Sequence, residues 1–189
     1  MTPSQRHRPL SELELAALGF LWRRGPCTAY RVRLGFQDSP SSHWSGSSGA
    51  LYPLLRRLER RGLVESTSGT TGARARKMLA VTADGRAALR EWLGRGVDLD
   101  AASTVYDALR TRMFFLDLLP RSARLDFARS ALRACEQHVA AIERDLEQRK
   151  ASGDRFGVLG ARGAWHTARA RLVWLREIEV ALADESFGP

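Results

Sequence analysis

Four histidines and two cysteines are the side chains of this sequence most able to hold a metal or attack a substrate, and their spacing supports neither. His7, His43, His138 and His166 form no HExxH or HxE pattern, so no two of them are set to share a helix face as zinc ligands. Cys27 and Cys135 lie far apart with no CxxC, which excludes a zinc ribbon, a redox pair and a disulfide framework. Cys27 stands between Pro26 and Thr28 with no His or acid beside it to make it a nucleophile, and Cys135 falls on an apolar heptad position. Asp98, Asp100 and Asp107 read as a solvated linker and a helix start. Gly46 to Gly49 mixes glycine and serine, but no Lys-Ser/Thr follows, so it reads as a helix cap and not a phosphate cradle. No catalytic residue, metal or cofactor is expected, and the chain is not read as an enzyme.

What remains is cationic chemistry. Residues 1–93 carry 15 Lys and Arg against 7 Asp and Glu, a net +8, whereas residues 94–189 carry 15 against 14, a net +1. Clustered cations bind a polyanion by releasing its condensed counterions, so a basic half joined to a nearly neutral half suggests a nucleic-acid reader attached to an assembly or sensing module. The densest cluster is Arg56, Arg57, Arg60 and Arg61. Arg60 and Arg61 are explained by the helix dipole alone, because cations are favoured near a helix C-terminus. Arg56 shares a face with Tyr52 and is the stronger candidate for DNA; Arg57 is equally consistent with contact or with a solvated face.

These side chains need a scaffold. Ser11-Glu12-Leu13-Glu14 is a capping box, with Leu10 and Leu15 as a hydrophobic staple, and it opens a helix that buries Leu13, Ala17, Phe20 and Leu21 before Gly25-Pro26 stops it. Thr28 starts a second helix carrying Tyr30, Val32 and Leu34, with Arg31 and Arg33 as phosphate candidates. Gln37 to Gly46 reads as a loop. A third helix begins near Ser47 or Ser48, buries Leu51, Leu54, Leu55 and Leu58, and ends at Gly62. Pro53 removes a donor, so this helix is expected to kink or to start late. The runs Val64 to Ser68 and Arg76 to Val81 form a hairpin with Arg74, Arg76 and Lys77 at its tip, and Thr82 caps a fourth helix with Ala88, Leu89, Trp92 and Leu93 inward. Three helices and a basic hairpin are the order of a winged helix-turn-helix, whose third helix enters the major groove.

Gly49-Ala50-Leu51-Tyr52-Pro53-Leu54-Leu55, Arg57-Leu58-Glu59 and Gly62-Leu63-Val64 together resemble the recognition-helix signature of the PadR-family transcriptional regulators. Thr82-Ala83-Asp84-Gly85-Arg86 resembles the Thr-x-x-Gly-Arg step after that family's wing. Leu109 to Asp117 and Trp174 to Glu177 are similar to the long C-terminal domain of the virulence-activator-like subgroup, so the resemblance covers residues 11 to about 183. It implies a homodimeric, sequence-specific DNA-binding regulator. Repression is implied because most relatives repress, although the subgroup also holds activators. The family's usual Tyr pair in the second wing strand is replaced by Met78-Leu79, and the wing is rich in Gly and Thr. The expected DNA contacts are Ser47, Ser48, Tyr52, Arg56, Arg57, Arg31, Arg33, Arg74, Arg76 and Lys77.

In the second half, Leu125, Ala128, Leu132, Cys135, Val139, Ile142 and Leu146 alternate steps of three and four, a coiled-coil seam, and Trp165, Ala168, Leu172, Leu175 and Leu182 repeat it. The seam alone fits an intrachain hairpin and dimerisation equally. A winged helix gains from two half-sites about 34 Å apart, which favours dimerisation through Leu125, Leu132, Val139, Ile142, Leu146, Leu172 and Leu175. The expected architecture is therefore mainly α, with a winged helix-turn-helix domain over residues 1–94 and a helical dimerisation domain over 95–189. A small aromatic effector is expected near Trp92, Phe114, Trp165 and Trp174. No apolar run spans a membrane and no secretory signal is read, so a cytoplasmic protein is expected. Two other readings stay open: a winged-helix protein-interaction adaptor that does not bind DNA, and an RNA binder, ranked last because no stacking-aromatic platform is present.

Overall fold

The computed structural model describes residues 8–38, 47–71, 74–97, 107–184 and 186. The chain divides into two compact units, Met1–Val97 and Asp98–Pro189.

In the first unit, α1 (Glu12–Arg24) starts on the capping box: Ser11 Oγ accepts from the Glu14 backbone N–H at 3.3 Å, and the Glu14 carboxylate accepts from the Ser11 N–H at 2.9 Å. Its buried stripe is Glu14, Leu15, Ala17, Leu18 and Leu21. Leu13 and Phe20, expected inside, are only half-buried, since the face that meets the core is centred on Leu18 and takes in Leu15. Thr28 caps α2 (Ala29–Gln37), which buries Val32 and Phe36 and leaves Tyr30 exposed. Residues 39–46 of the expected loop lie outside the described residues.

A 3-10 turn, Ser47–Ala50, leads into α3 (Leu51–Arg60). The expected serine cap is corrected here. Ala50 is the N-cap and makes no side-chain capping bond, because the α-helix starts late. Pro53 then falls in the first turn, where backbone donors have no intrahelical acceptor, so its missing N–H costs no helical hydrogen bond. Leu51, Leu54, Leu55 and Leu58 are all at most 3% exposed. At about 1.5–3 kcal/mol per buried leucine, this stripe anchors a helix of only ten residues. The helix ends in a Schellman arrangement: Gly62, at φ 70°, donates to Glu59 O, and Leu63 N donates to Leu58 O.

The wing is one antiparallel pair, β1 (Val64–Thr71) and β2 (Arg74–Val81), in the register Val64↔Val81 to Thr71↔Arg74. The strands run further toward the tip than the alternation predicted. Val64, Leu79 and Val81 bury the base of the pair, and Cys27 adds a one-residue bridge to Leu79 with hydrogen bonds of 3.0 and 2.8 Å. Thr82 both caps α4 (Ala83–Gly94), by accepting from Gly85 N, and donates to Gly62 O at 2.7 Å. Gly85 permits this closeness: a Cβ there would lie 2.2 Å from Leu63 O. Arg86 Nη1 donates to Val81 O at 3.0 Å. The Thr-x-x-Gly-Arg step is thus a latch joining the end of α3, the base of the wing and the start of α4. Leu89 is buried as expected, but Trp92 and Leu93 are 37% and 71% exposed, so the last turn of α4 does not face inward.

The second unit opens with α5 (Ala108–Met113), capped by Asp107, followed by a 3-10 turn, Leu116–Leu118. Two long helices follow, α6 (Arg121–Ala151) and α7 (Arg155–Ala183). They are antiparallel, as their cross-links run in opposite directions along the chain: Arg129 to Glu179, Cys135 Sγ to Ala168 O, Trp165 Nε1 to Glu143. Between them Leu132 and Cys135 pack against Leu172 and Leu175, Val139 and Ile142 pack against Ala168, and Ala128 is buried. Among the described residues no helix is long and apolar enough to cross a membrane.

Candidate nucleic-acid interface

With one face of α3 sealed by its four leucines, the 3.6-residue period turns Pro53, Arg56 and Arg60 to the opposite side, flanked by Tyr52 and Arg57. All five are exposed, Tyr52 at 44%. Arg56 and Arg60 make no hydrogen bond or ion pair among the described residues, so their guanidinium groups are available to a phosphate or to a base edge in a bidentate geometry. Arg60 was assigned to the helix dipole from sequence. Its spacing of four from Arg56 is the signal that places it on the same outward face.

The other candidates divide by what already holds them. Arg57 Nε donates to the buried Glu14 carboxylate at 3.3 Å. Lys77 Nζ donates to Glu59 at 2.8 Å, and Ser66 Oγ donates to the other oxygen of the same carboxylate at 2.6 Å. Those two hydrogen bonds, from Lys77 first and Ser66 second, hold the Glu59 carboxyl below its ordinary pKa. Lys77 is therefore not a free tip cation but part of a clamp between the wing and the end of α3. Glu59 was missed in the sequence because its partners lie on two strands whose register is known only after folding. Arg33 donates to Gln37 at 2.7 Å and lies over the Tyr30 ring at 5.2 Å, which holds it along α2. Arg31 and Arg76 are exposed. The side chains of Ser47, Ser48 and Arg74 lie outside the described residues.

Two further sets of sequence-predicted residues lie in the second unit. Leu132, Val139, Ile142, Leu172 and Leu175 are buried inside one chain, between α6 and α7, and Leu125 and Leu146 are half-buried at the ends of the same seam. Within one chain this seam forms the packing of the α6–α7 hairpin. Trp165 packs on the Val139, Ile142 and Ala168 cluster, whereas Trp174 packs on the Leu132, Cys135, Leu172 and Leu175 cluster. The two residues stand nine positions apart on α7, a rise of about 13.5 Å along the helix. Phe114 is 74% exposed. Burial raises the Cys27 and Cys135 thiol pKa values, opposite to the shift a nucleophile needs. No group of three or more metal-ligating side chains occurs among the described residues.

A basic, exposed helix face carried on a three-helix core with a two-stranded wing matches a known domain. Residues 18–91 match the transcriptional regulator PadR-like family. The chain carries a PadR-like regulator domain. It is 25% identical over 143 residues to the negative transcriptional regulator PadR of Bacillus subtilis, covering 75% of this chain and 77% of that protein. Its fold is similar to the crystal structure of Bacillus subtilis PadR in complex with operator DNA (TM-score 0.80, 24% identity, 93% of this chain and 99% of that one). The crystal structure of that protein with p-coumaric acid gives 0.71 at 23% identity, over 92% and 96%. The Vibrio cholerae virulence activator AphA gives 0.66 at 19% identity, over 90% and 98%. The similarity extends through the long helical C-terminus, beyond the PadR-like domain itself.

Proposed function

We propose that this PadR-like transcriptional regulator is a homodimeric repressor that binds duplex DNA sequence-specifically in the cytoplasm, with α3 in the major groove and the wing against neighbouring phosphate. The observation that carries the reading is the outward face of α3, where Tyr52, Arg56 and Arg60 stand exposed opposite a fully sealed leucine face. The +8 charge of residues 1–93 supplies the non-specific attraction. Arg56 and Tyr52 are the base-reading candidates; Arg31, Arg60, Arg74 and Arg76 are the phosphate candidates. The similarity to a negative regulator supports repression. The second copy is placed on the second unit, against the apolar groups that the hairpin leaves open, including the half-buried seam ends Leu125 and Leu146. Val173 and Val180 on α7 are 53% and 71% exposed, on either side of Arg176 and Glu177.

Selection of bound duplexes from a random pool tests the reading. The expected outcome is a near-palindrome whose half-sites repeat at about one helical turn, roughly 34 Å. A pool that shows no enrichment would favour the adaptor reading instead. A small aromatic effector belongs to the same proposal, supported by the p-coumaric acid complex of Bacillus subtilis PadR and by the aromatic residues Phe114, Trp165 and Trp174 in the second unit. Its affinity must change on DNA binding by the factor by which it changes DNA affinity, so Trp quenching by phenolic acids with and without the selected duplex measures the coupling.

A further inference from the structure

Glu14 is the one charged side chain buried among the described residues, with 1% exposure. A capping-box glutamate serves its own helix end, whereas this one collects donors from the segment before α1 and from α3. Oε2 accepts from Ser11 N at 2.9 Å, from Ser11 Oγ at 3.3 Å and from Arg8 Nη2 at 3.4 Å, and Oε1 accepts from Arg57 Nε at 3.3 Å. The cap explains only one of its oxygens. The other reaches 43 residues along the chain to α3.

Arg57 is bound at Nε alone, and its side chain is 43% exposed. Among the described residues its two Nη groups have no partner. A guanidinium presents its five N–H groups in a rigid plane, so fixing Nε fixes the direction in which both Nη groups point. Held by a buried anion at one edge, the plane offers its other edge as a preset fork suited to the two oxygens of a phosphate.

We infer that Glu14 is a positioning residue for DNA binding: it orients Arg57 on the flank of α3 so that the Nη fork takes a backbone phosphate beside the groove that Arg56 faces. The alternative for the same contact is a purely structural tie between α1 and α3. This inference rests on the proposed DNA binding, and the controls keep the two separable. Arg57 then adds affinity without sequence information, and Glu14 acts on DNA only through Arg57.

The test is a double-mutant cycle of E14Q and R57Q, read by salt titration of duplex binding. E14Q keeps a carbonyl for the Ser11 N–H, and R57Q keeps a donor for Glu14, so each variant retains its local hydrogen bond; circular dichroism and thermal melts establish that each is folded. R57Q should lower the log-log salt slope by about 0.9, the share of one phosphate. It should weaken selected and random duplexes by the same factor. E14Q should lower affinity about fivefold in the Arg57 protein and leave it unchanged in the R57Q protein, the coupling expected when one residue acts through another. R57K, which keeps the charge but not the fork, should recover the slope without the full affinity. Folded E14Q and R57Q proteins that bind with the wild-type slope and affinity would overturn the inference and leave a structural tie. E14Q losses that persist undiminished in the R57Q protein would overturn it as well. A wild-type protein that binds no duplex would overturn the proposed function along with it.

Discussion

At the scale of single residues, the proposed DNA contacts Arg56 and Arg57 differ in what already binds them: Arg57 donates to Glu14. Arg56 makes no hydrogen bond or ion pair among the described residues, so R56A should change thermal stability little while costing about 1–3 kcal/mol on the selected duplex and less on random DNA. Parallel losses on both duplexes would make Arg56 a phosphate contact. Glu14 has a distinct signature. Burial pushes its carboxyl pKa up, but hydrogen bonds from Ser11 and Arg57, with the Arg8 charge, outweigh that and hold it below the ordinary value. A carboxyl with a lowered folded-state pKa contributes stability above its unfolded pKa and loses it as pH falls through the folded value. Urea midpoints measured from pH 7 down to pH 3 should therefore drop more steeply for the wild type than for E14Q, and parallel curves would contradict the assignment. Gly85 is fixed by space: a Cβ would meet Leu63 O at 2.2 Å and Val81 Cγ1 at 2.7 Å. G85A should lower stability by about 1–3 kcal/mol, read in a denaturant titration.

At the scale of elements, local rules carried the reading wherever one segment decides its own structure. The α3 leucines are buried as their spacing indicated, the Ser11, Thr28 and Thr82 caps form as their positions indicated, and the proline that disturbed the helical pattern is accommodated by a late start. The pattern could not say which helix a heptad seam faces. An apolar stripe has the same sequence whether its partner is α7 of the same chain or a second copy, and here the hairpin takes it. Nor could it find Glu59 or the Arg57 bond to Glu14, since those contacts join residues far apart in the chain. The hairpin carries its own prediction. Ile142 is 1% exposed, so I142A should cost about 2–5 kcal/mol through the cavity it leaves. L132D should melt α6 and α7 together, because a carboxylate buried in the seam has no partner. V180D, by contrast, changes an exposed position and should preserve helicity while weakening the dimer in sedimentation velocity. A dimer that V180D leaves intact would move the second copy to another face.

At the scale of the whole molecule, the charge division of the sequence and the two compact units of the structure point to the same separation of work. The basic half holds the exposed α3 face, and the nearly neutral half is built on a long helical hairpin. Binding to DNA should therefore be strongly electrostatic in affinity and local to α3 in specificity. The most direct measurement is the affinity of the wild type and R56A for the selected duplex and for a random one, titrated with salt. The expected result is a log-log slope of roughly six to ten phosphate contacts for the wild type on the selected duplex. The preference for that duplex should be reduced in R56A with the slope nearly unchanged. A wild-type slope near zero, or a preference that survives in R56A undiminished, would contradict the assignment of α3 as the element that reads DNA.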